Sequence, residues 1–277
     1  MRFIYYIFIA FLPCLSQAAE IIEEKNQSYH EAEPACQLDL YRLESDKKLP
    51  CLVWFHGGGM TGGSKNDASS IAVARAFAAK GLLVACVGYR LHPKVKYPTY
   101  IEDAAAAVHW VKSHAASHGG DPQKIFVAGH SAGGYLSLML GNDKRWLGHH
   151  GDAHTDLAGI ISLSGQTITH FTIRSERGLA DTTIIVDDAA PLHYANQPCA
   201  PQLILYAEKD MAMRAEENIL YLSARAAAGH KQVSGKLMAD TDHGNIGGDL
   251  AKRDNAAMKE ILAFIRCHNA KALSQPE

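Results

Sequence analysis

The chain carries almost no net charge and no basic stripe. Its 27 Lys and Arg against 29 Asp and Glu leave a formal charge of −2, without the electrostatic footprint of a nucleic-acid-binding protein. It has no apolar run of the ~20 residues that a membrane-spanning helix needs. There is no internal repeat and no low-complexity linker, so 277 residues read as one large domain rather than two small ones. Cysteine is scarce: six residues in a chain far too large to need a disulfide scaffold. No stretch has standard metal-ligand spacing. The nearest approach, "GHHGDAHTD" with His149, His150, Asp152, His154 and Asp156, reads as an ordinary loop. What remains is an ordinary globular composition, 47% hydrophobic and 20% charged, with ample material for a core.

The first residues, "MRFIYYIFIAFLPCLSQAAE", combine Arg2, an apolar stretch from Phe3 to Leu12, and small residues at Ser16 and Ala18. This is the pattern of a secretory signal peptide cut after Ala18, which leaves a domain over 19–277 that is exported, periplasmic or extracellular. A lipoprotein site at Cys14 is disfavoured by Pro13. Loss of Cys14 leaves Cys36, Cys51, Cys86, Cys199 and Cys267, an odd number, so at least one thiol stays unpaired within the chain. Cys86 lies in a strand-like run and is expected in the core. Asn26, in "NQS", is a glycosylation acceptor only in a eukaryotic source.

Beyond the signal, apolar runs alternate with helical ones. Strands are predicted at 36–43, 51–57, 82–89, 124–129, 157–165, 201–210 and 231–240. Helices are predicted at 68–81, 101–120, from Ser131, at 214–229 and near 249–267. The βαβα order predicts one mostly parallel sheet with helices on both faces. The stretch 166–200 breaks that rhythm and reads as a short inserted cap.

Within this frame, "VAGHSAGGYL" places Ser131 among glycines where a strand meets a helix. That is the context of a nucleophile elbow, a tight turn that exposes its serine. "HGGG" at His56–Gly59 follows another buried strand, and bare glycine amides there can approach a developing oxyanion, each donor typically contributing ~3–4 kcal/mol. Both motifs fall at the C-terminal ends of predicted strands, where open α/β sheets keep their sites. Serine needs a base. His243, after the last predicted strand, stands in that place, and Asp210, after the preceding one, completes the order Ser, Asp, His. Asp240 and Asp242 compete for the role of Asp210. Adjacent residues on an extended segment point to opposite sides, which disfavours Asp242, and Asp240 would need the loop to fold back.

"HGGGMTGGSK", "GYRLHPKVKYPTYIEDAAAAVHWV", "GGDPQKIFVAGHSAGG", "LILYAEKD" and "DHGNIG" together resemble the α/β-hydrolase superfamily. The likeness is to its branch of small esterases related to hormone-sensitive lipase, which includes bacterial acyl esterases and kynurenine formamidases. It spans roughly Leu38 to Phe264. The resemblance implies a central sheet of about eight strands, Ser131 as nucleophile, His243 as general base and Asp210 as its orienting acid. It also implies an oxyanion hole from the amides of Gly58, Gly59 and Ala132, with Gly57 able to replace one of the loop pair. Met60 departs from the aromatic residue common at its position, and a changed pocket wall is expected there. Arg90 and Asp103 read as a structural ion pair, and Trp110 and Val111 as helix core. The expected activity is cofactor-free and metal-free hydrolysis of a small-molecule carboxylic ester, with no nucleic-acid partner and no stable membrane insertion after signal cleavage. An arylformamidase and a non-catalytic binding domain are the alternatives.

Overall fold

A computed structural model describes residues 20–271; the signal-peptide expectation falls on 1–18, outside the described residues. Eight strands form one sheet: β1 (Ile21–Ser28), β2 (Gln37–Leu43), β3 (Leu49–Phe55), β4 (Leu83–Val87), β5 (Gly120–His130), β6 (Gly159–Leu163), β7 (Gln202–Lys209) and β8 (Val233–Asp242). Their order is β1-β2-β4-β3-β5-β6-β7-β8. β2 is antiparallel to both neighbours, and every pairing from β4 to β8 is parallel. The helices are α1 (Ala68–Ala78), α2 (Thr99–His114), α3 (Ala132–Asn142), α4 (Lys144–Gly148), α5 (Phe171–Glu176), α6 (Arg214–Ala227), α7 (Asn245–Gly248) and α8 (Ala256–Lys271).

Alternation along the central strands divides the core in two. Val53 and Phe55 of β3 and Val127 of β5 face α2 and α3. Leu52, Trp54 and Phe126 point the other way, onto Phe77 of α1 and Ile261 of α8. Continuous apolar runs in β3, β4 and β6 therefore report strands covered on both faces.

Three boundaries differ from expectation for identifiable reasons. β1 escapes periodicity because it is a polar edge strand whose pairing with β2 slips between Glu24 and Gln27. The helix expected over 101–120 stops at His114 and tightens into a 3₁₀ turn over Ala115–His118, closed by left-handed Gly119. The last helix begins late, at Ala256, where Asn255 Oδ1 accepts the Met258 amide at 2.8 Å; only the short α7 forms near its expected start.

All five cysteines among the described residues are free thiols, and Cys86 is buried. Arg90 and Asp103 form the expected two-point ion pair, Nη2–Oδ1 2.6 Å and Nε–Oδ2 2.9 Å, which ties the end of β4 to α2. Val111 is core, whereas Trp110 is half-buried and stacked on His114. In the histidine-rich loop, Asp152 accepts from His109 and Lys112, and His154 contacts the Pro198 carbonyl.

Candidate active site

Parallel strands bring their C-terminal ends to one edge, and there the sheet order sets the site. The loop after β3, Ser131 after β5, Ser164 after β6, Asp210 after β7 and His243 after β8 follow one another across that edge. Residues distant in sequence thus become neighbours in strand order.

Ser131 sits between β5 and α3 with φ 55° and ψ −115°, a conformation disfavoured for a residue with a Cβ and sustained only by its surroundings. The glycines beside it answer to close approach. A Cβ on Gly129 would lie 2.4 Å from the Gly133 carbonyl carbon, and one on Gly133 would lie 2.0 Å from the Phe55 carbonyl oxygen. Strand, turn and helix can pack this tightly only with both side chains absent.

The hydroxyl of Ser131 lies 2.9 Å from His243 Nε2, and His243 Nδ1 lies 2.6 Å from Asp210 Oδ1. Ser131, His243 and Asp210 therefore form one hydrogen-bonded line, with Asp210 on the ring side away from Ser131. The competing aspartates do other work. Asp242 Oδ1 accepts the amides of Gly244 and Asn245, fixing the turn that carries His243. Asp240 is exposed, with its own amide bonded to Glu208.

Two positions that pattern reading passed over hold this line in place. Ser164, fully buried at φ 49°, donates its hydroxyl to Asp210 Oδ2 at 2.5 Å. Asp210 Oδ1 also accepts the Met211 amide at 2.8 Å. Burial pushes the Asp210 carboxyl up, but the bonds from His243 and Ser164 outweigh it and the net pKa lies below the ordinary value. His130, the residue before Ser131, bonds through Nε2 to the His243 carbonyl at 2.6 Å. Burial, and then the neighbouring His243, lower its pKa to about 4, so at neutral pH it is an uncharged donor.

In the loop after β3, two peptide planes are pinned from behind. His56 Nδ1 lies 2.7 Å from the Gly57 carbonyl, and burial keeps that ring neutral. The Gly58 carbonyl accepts the amides of Thr61 and Gly62 at 3.0 and 2.9 Å. A peptide N–H points opposite to its own C=O, so the amides of Gly58 and Gly59 face away from those anchors. These two amides and that of Ala132 donate to no backbone carbonyl among the described residues. Gly58 and Gly59 have φ of 106° and 64°, where side chains are strained. From the β6–β7 connection, Thr172 Oγ1 donates to the Gly59 carbonyl at 2.5 Å. Phe171 packs so closely that a Gly59 Cβ would meet its ring at 2.8 Å. Met60 does not alter a pocket wall as expected: its side chain is fully buried in the core.

The sheet order, the strained serine between strand and helix, and the hydrogen-bonded Ser–His–Asp line are those of an α/β-hydrolase. Within that class the chain belongs to the BD-FAE family, whose model matches residues 38–223. Carboxylesterase NlhH of Mycobacterium tuberculosis is 43% identical over 100 residues, 36% of this chain and 31% of the relative. Esterase LipC of the same organism is 25% identical over 260 residues, 87% of this chain and 64% of the relative. The chain thus matches less than two thirds of the length of either. Among solved structures, a truncated carbohydrate esterase from gut microbiota superposes with a TM-score of 0.76 at 15% identity, over 92% of this chain and 98% of that one. Esterase B from Lactobacillus rhamnosis, inhibited by a tributyrin phosphonate, gives 0.74 at 18% identity, over 90% and 85%. Such likenesses establish the fold.

Proposed function

We propose that the protein is an exported serine carboxylesterase acting on small or carbohydrate-linked acyl esters. One observation carries the reading: a serine at a strained strand-to-helix turn lies 2.9 Å from an imidazole whose far nitrogen is held 2.6 Å from a carboxylate. In this reading Ser131 attacks the ester carbonyl while His243 takes its proton. Asp210 holds the ring in the right tautomer and stabilises the imidazolium. The oxyanion is received by the amides of Gly58, Gly59 and Ala132. His243 returns the proton to the leaving alcohol, and water then releases the acid from the acyl-enzyme. No cofactor or metal enters any step. The names of the relatives, a carboxylesterase and esterases, support the reaction class, and the carbohydrate esterase among the fold neighbours supports the substrate class. Export rests on the N-terminal pattern.

The test compares wild type with Ser131→Ala on p-nitrophenyl acetate, butyrate and octanoate, with N-formylkynurenine alongside. Turnover of short acyl esters, lost by about a millionfold in the variant, is expected. Preference for the formyl amide would favour an arylformamidase, and inertness toward all four would favour a binding domain.

A further inference from the structure

A cavity of about 310 Å³ lies beside the triad, between the β6–β7 connection and the loop after β7. It touches the site from two directions. Met211 follows Asp210 directly, and Phe171 is the ring packed against Gly59.

Its polar groups are unusual in kind. Gln166, Arg174 and Arg214 all line it, and each is more than nine-tenths buried. Gln166 Oε1 accepts the Phe171 amide at 2.9 Å, which orients the side chain and leaves Nε2 without an acceptor among the described residues. Arg214 uses Nε on Glu217 at 2.7 Å and Nη1 on the Ser164 carbonyl at 2.6 Å, leaving Nη2 without one. Arg174 donates Nη1 and Nη2 to the carbonyls of Thr183 and Asp181, while its buried Nε has no partner.

Two cations, Arg174 and Arg214, stand here with two anions, Glu217 and Asp181. Glu217 balances Arg214 and also accepts the amides of Thr167 and Ile168, so its oxygens are occupied. Arg174 has no carboxylate within 4.0 Å among the described residues; Asp181, the remaining acid at the cavity, is an exposed rim residue. The buried Arg174 guanidinium bonds only to carbonyls and feels Glu217 and Asp181 at longer range, and burial still lowers its pKa, so an anion brought into contact with it relieves a remaining cost. Within the buried part of the wall, the unpaired N–H groups of Gln166 Nε2 and Arg214 Nη2 also discriminate by chemistry. A group that meets both must accept twice, which a carboxylate does with two oxygens and no proton of its own to place. Phe171, Met211 and Ile184 supply apolar walls for the chain joining such a group to the ester.

We propose that this cavity is a carboxylate subsite, and that the preferred substrate is an ester bearing a carboxylate on its acyl or alcohol half. The inference rests on the esterase reading above. Two matched pairs locate the charge. On the acyl side, mono-p-nitrophenyl glutarate is compared with p-nitrophenyl pentanoate. On the alcohol side, p-acetoxybenzoate is compared with its methyl ester. In one pair the charged member should have the higher kcat/KM by at least about tenfold, the size of one charge-assisted hydrogen bond. That ratio should collapse in Gln166→Glu, which keeps the acceptor for Phe171 but turns the donor into an anion. Arg174→Met should reduce it too, and it serves as the second variant if the first unfolds. The readout is the charged-to-neutral ratio, which is independent of any overall change in rate. Preference for the neutral member in both pairs, or a ratio untouched in the folded variants, would overturn the subsite and leave the esterase standing. No turnover of any of the four would instead remove the esterase reading itself.

Discussion

Asp210 is the residue on which most of the site's hydrogen bonds converge. His243, Ser164, the Met211 amide and the Ala207 amide all donate to it. Substitution separates the role of Asp210 from that of its neighbours. Asp210→Asn presents an amide to His243 Nδ1, favours the wrong tautomer, and should lower kcat by roughly 10⁴-fold with the fold intact. Asp242→Asn should cost far less, because its bonds go to the turn. Ser164 offers a sharper test, since its φ of 49° suits glycine better than alanine. If the hydroxyl matters, Ser164→Ala and Ser164→Gly should both lower kcat by about tenfold, the scale of a charge-assisted hydrogen bond. If only backbone strain matters, the glycine variant should match wild type. Steady-state kinetics of both variants decide between the two.

At the scale of elements, the site is assembled by what ties one strand end to the next. His130 ends β5 and holds the carbonyl of His243 beyond β8, bridging strands that are three places apart in the sheet. This tie has a pH signature. The folded-state pKa of His130 is lowered to about 4, whereas an unfolded histidine titrates near 6.5. The unfolded chain therefore takes up a proton that the folded one refuses between those values. Its stabilising share is complete above about pH 6.5 and declines as pH falls toward 4. Melting temperatures at pH 7, 5.5 and 4.5 should fall less steeply for His130→Gln than for wild type; parallel curves would contradict the assignment. Elements with strong patterns were legible in the sequence. The buried runs of β3 and β4, and the glycines around Ser131, announce themselves because burial on two faces and close backbone approach each restrict composition. Ser164 and His130 gave no such signal. Each is one polar residue at a strand end, and its partner becomes a neighbour only after the parallel sheet has formed. β1 was silent for the opposite reason, since an edge strand needs no apolar alternation.

For the molecule as a whole, the parallel sheet gathers five loop segments at one edge, while two separate cores beneath hold the strand ends in register. In the proposed reading, the strands that end at this edge carry the proton acceptor, its orienting acid and the oxyanion donors. The central claim is therefore that Ser131 is the one side chain that becomes covalently acylated. The direct measurement is intact-protein and peptide mass spectrometry after exposure to a fluorophosphonate. One equivalent of phosphonyl group is expected on the peptide carrying Ser131, with none taken up by Ser131→Ala. Label on another residue, or undiminished labelling of Ser131→Ala, would contradict the account.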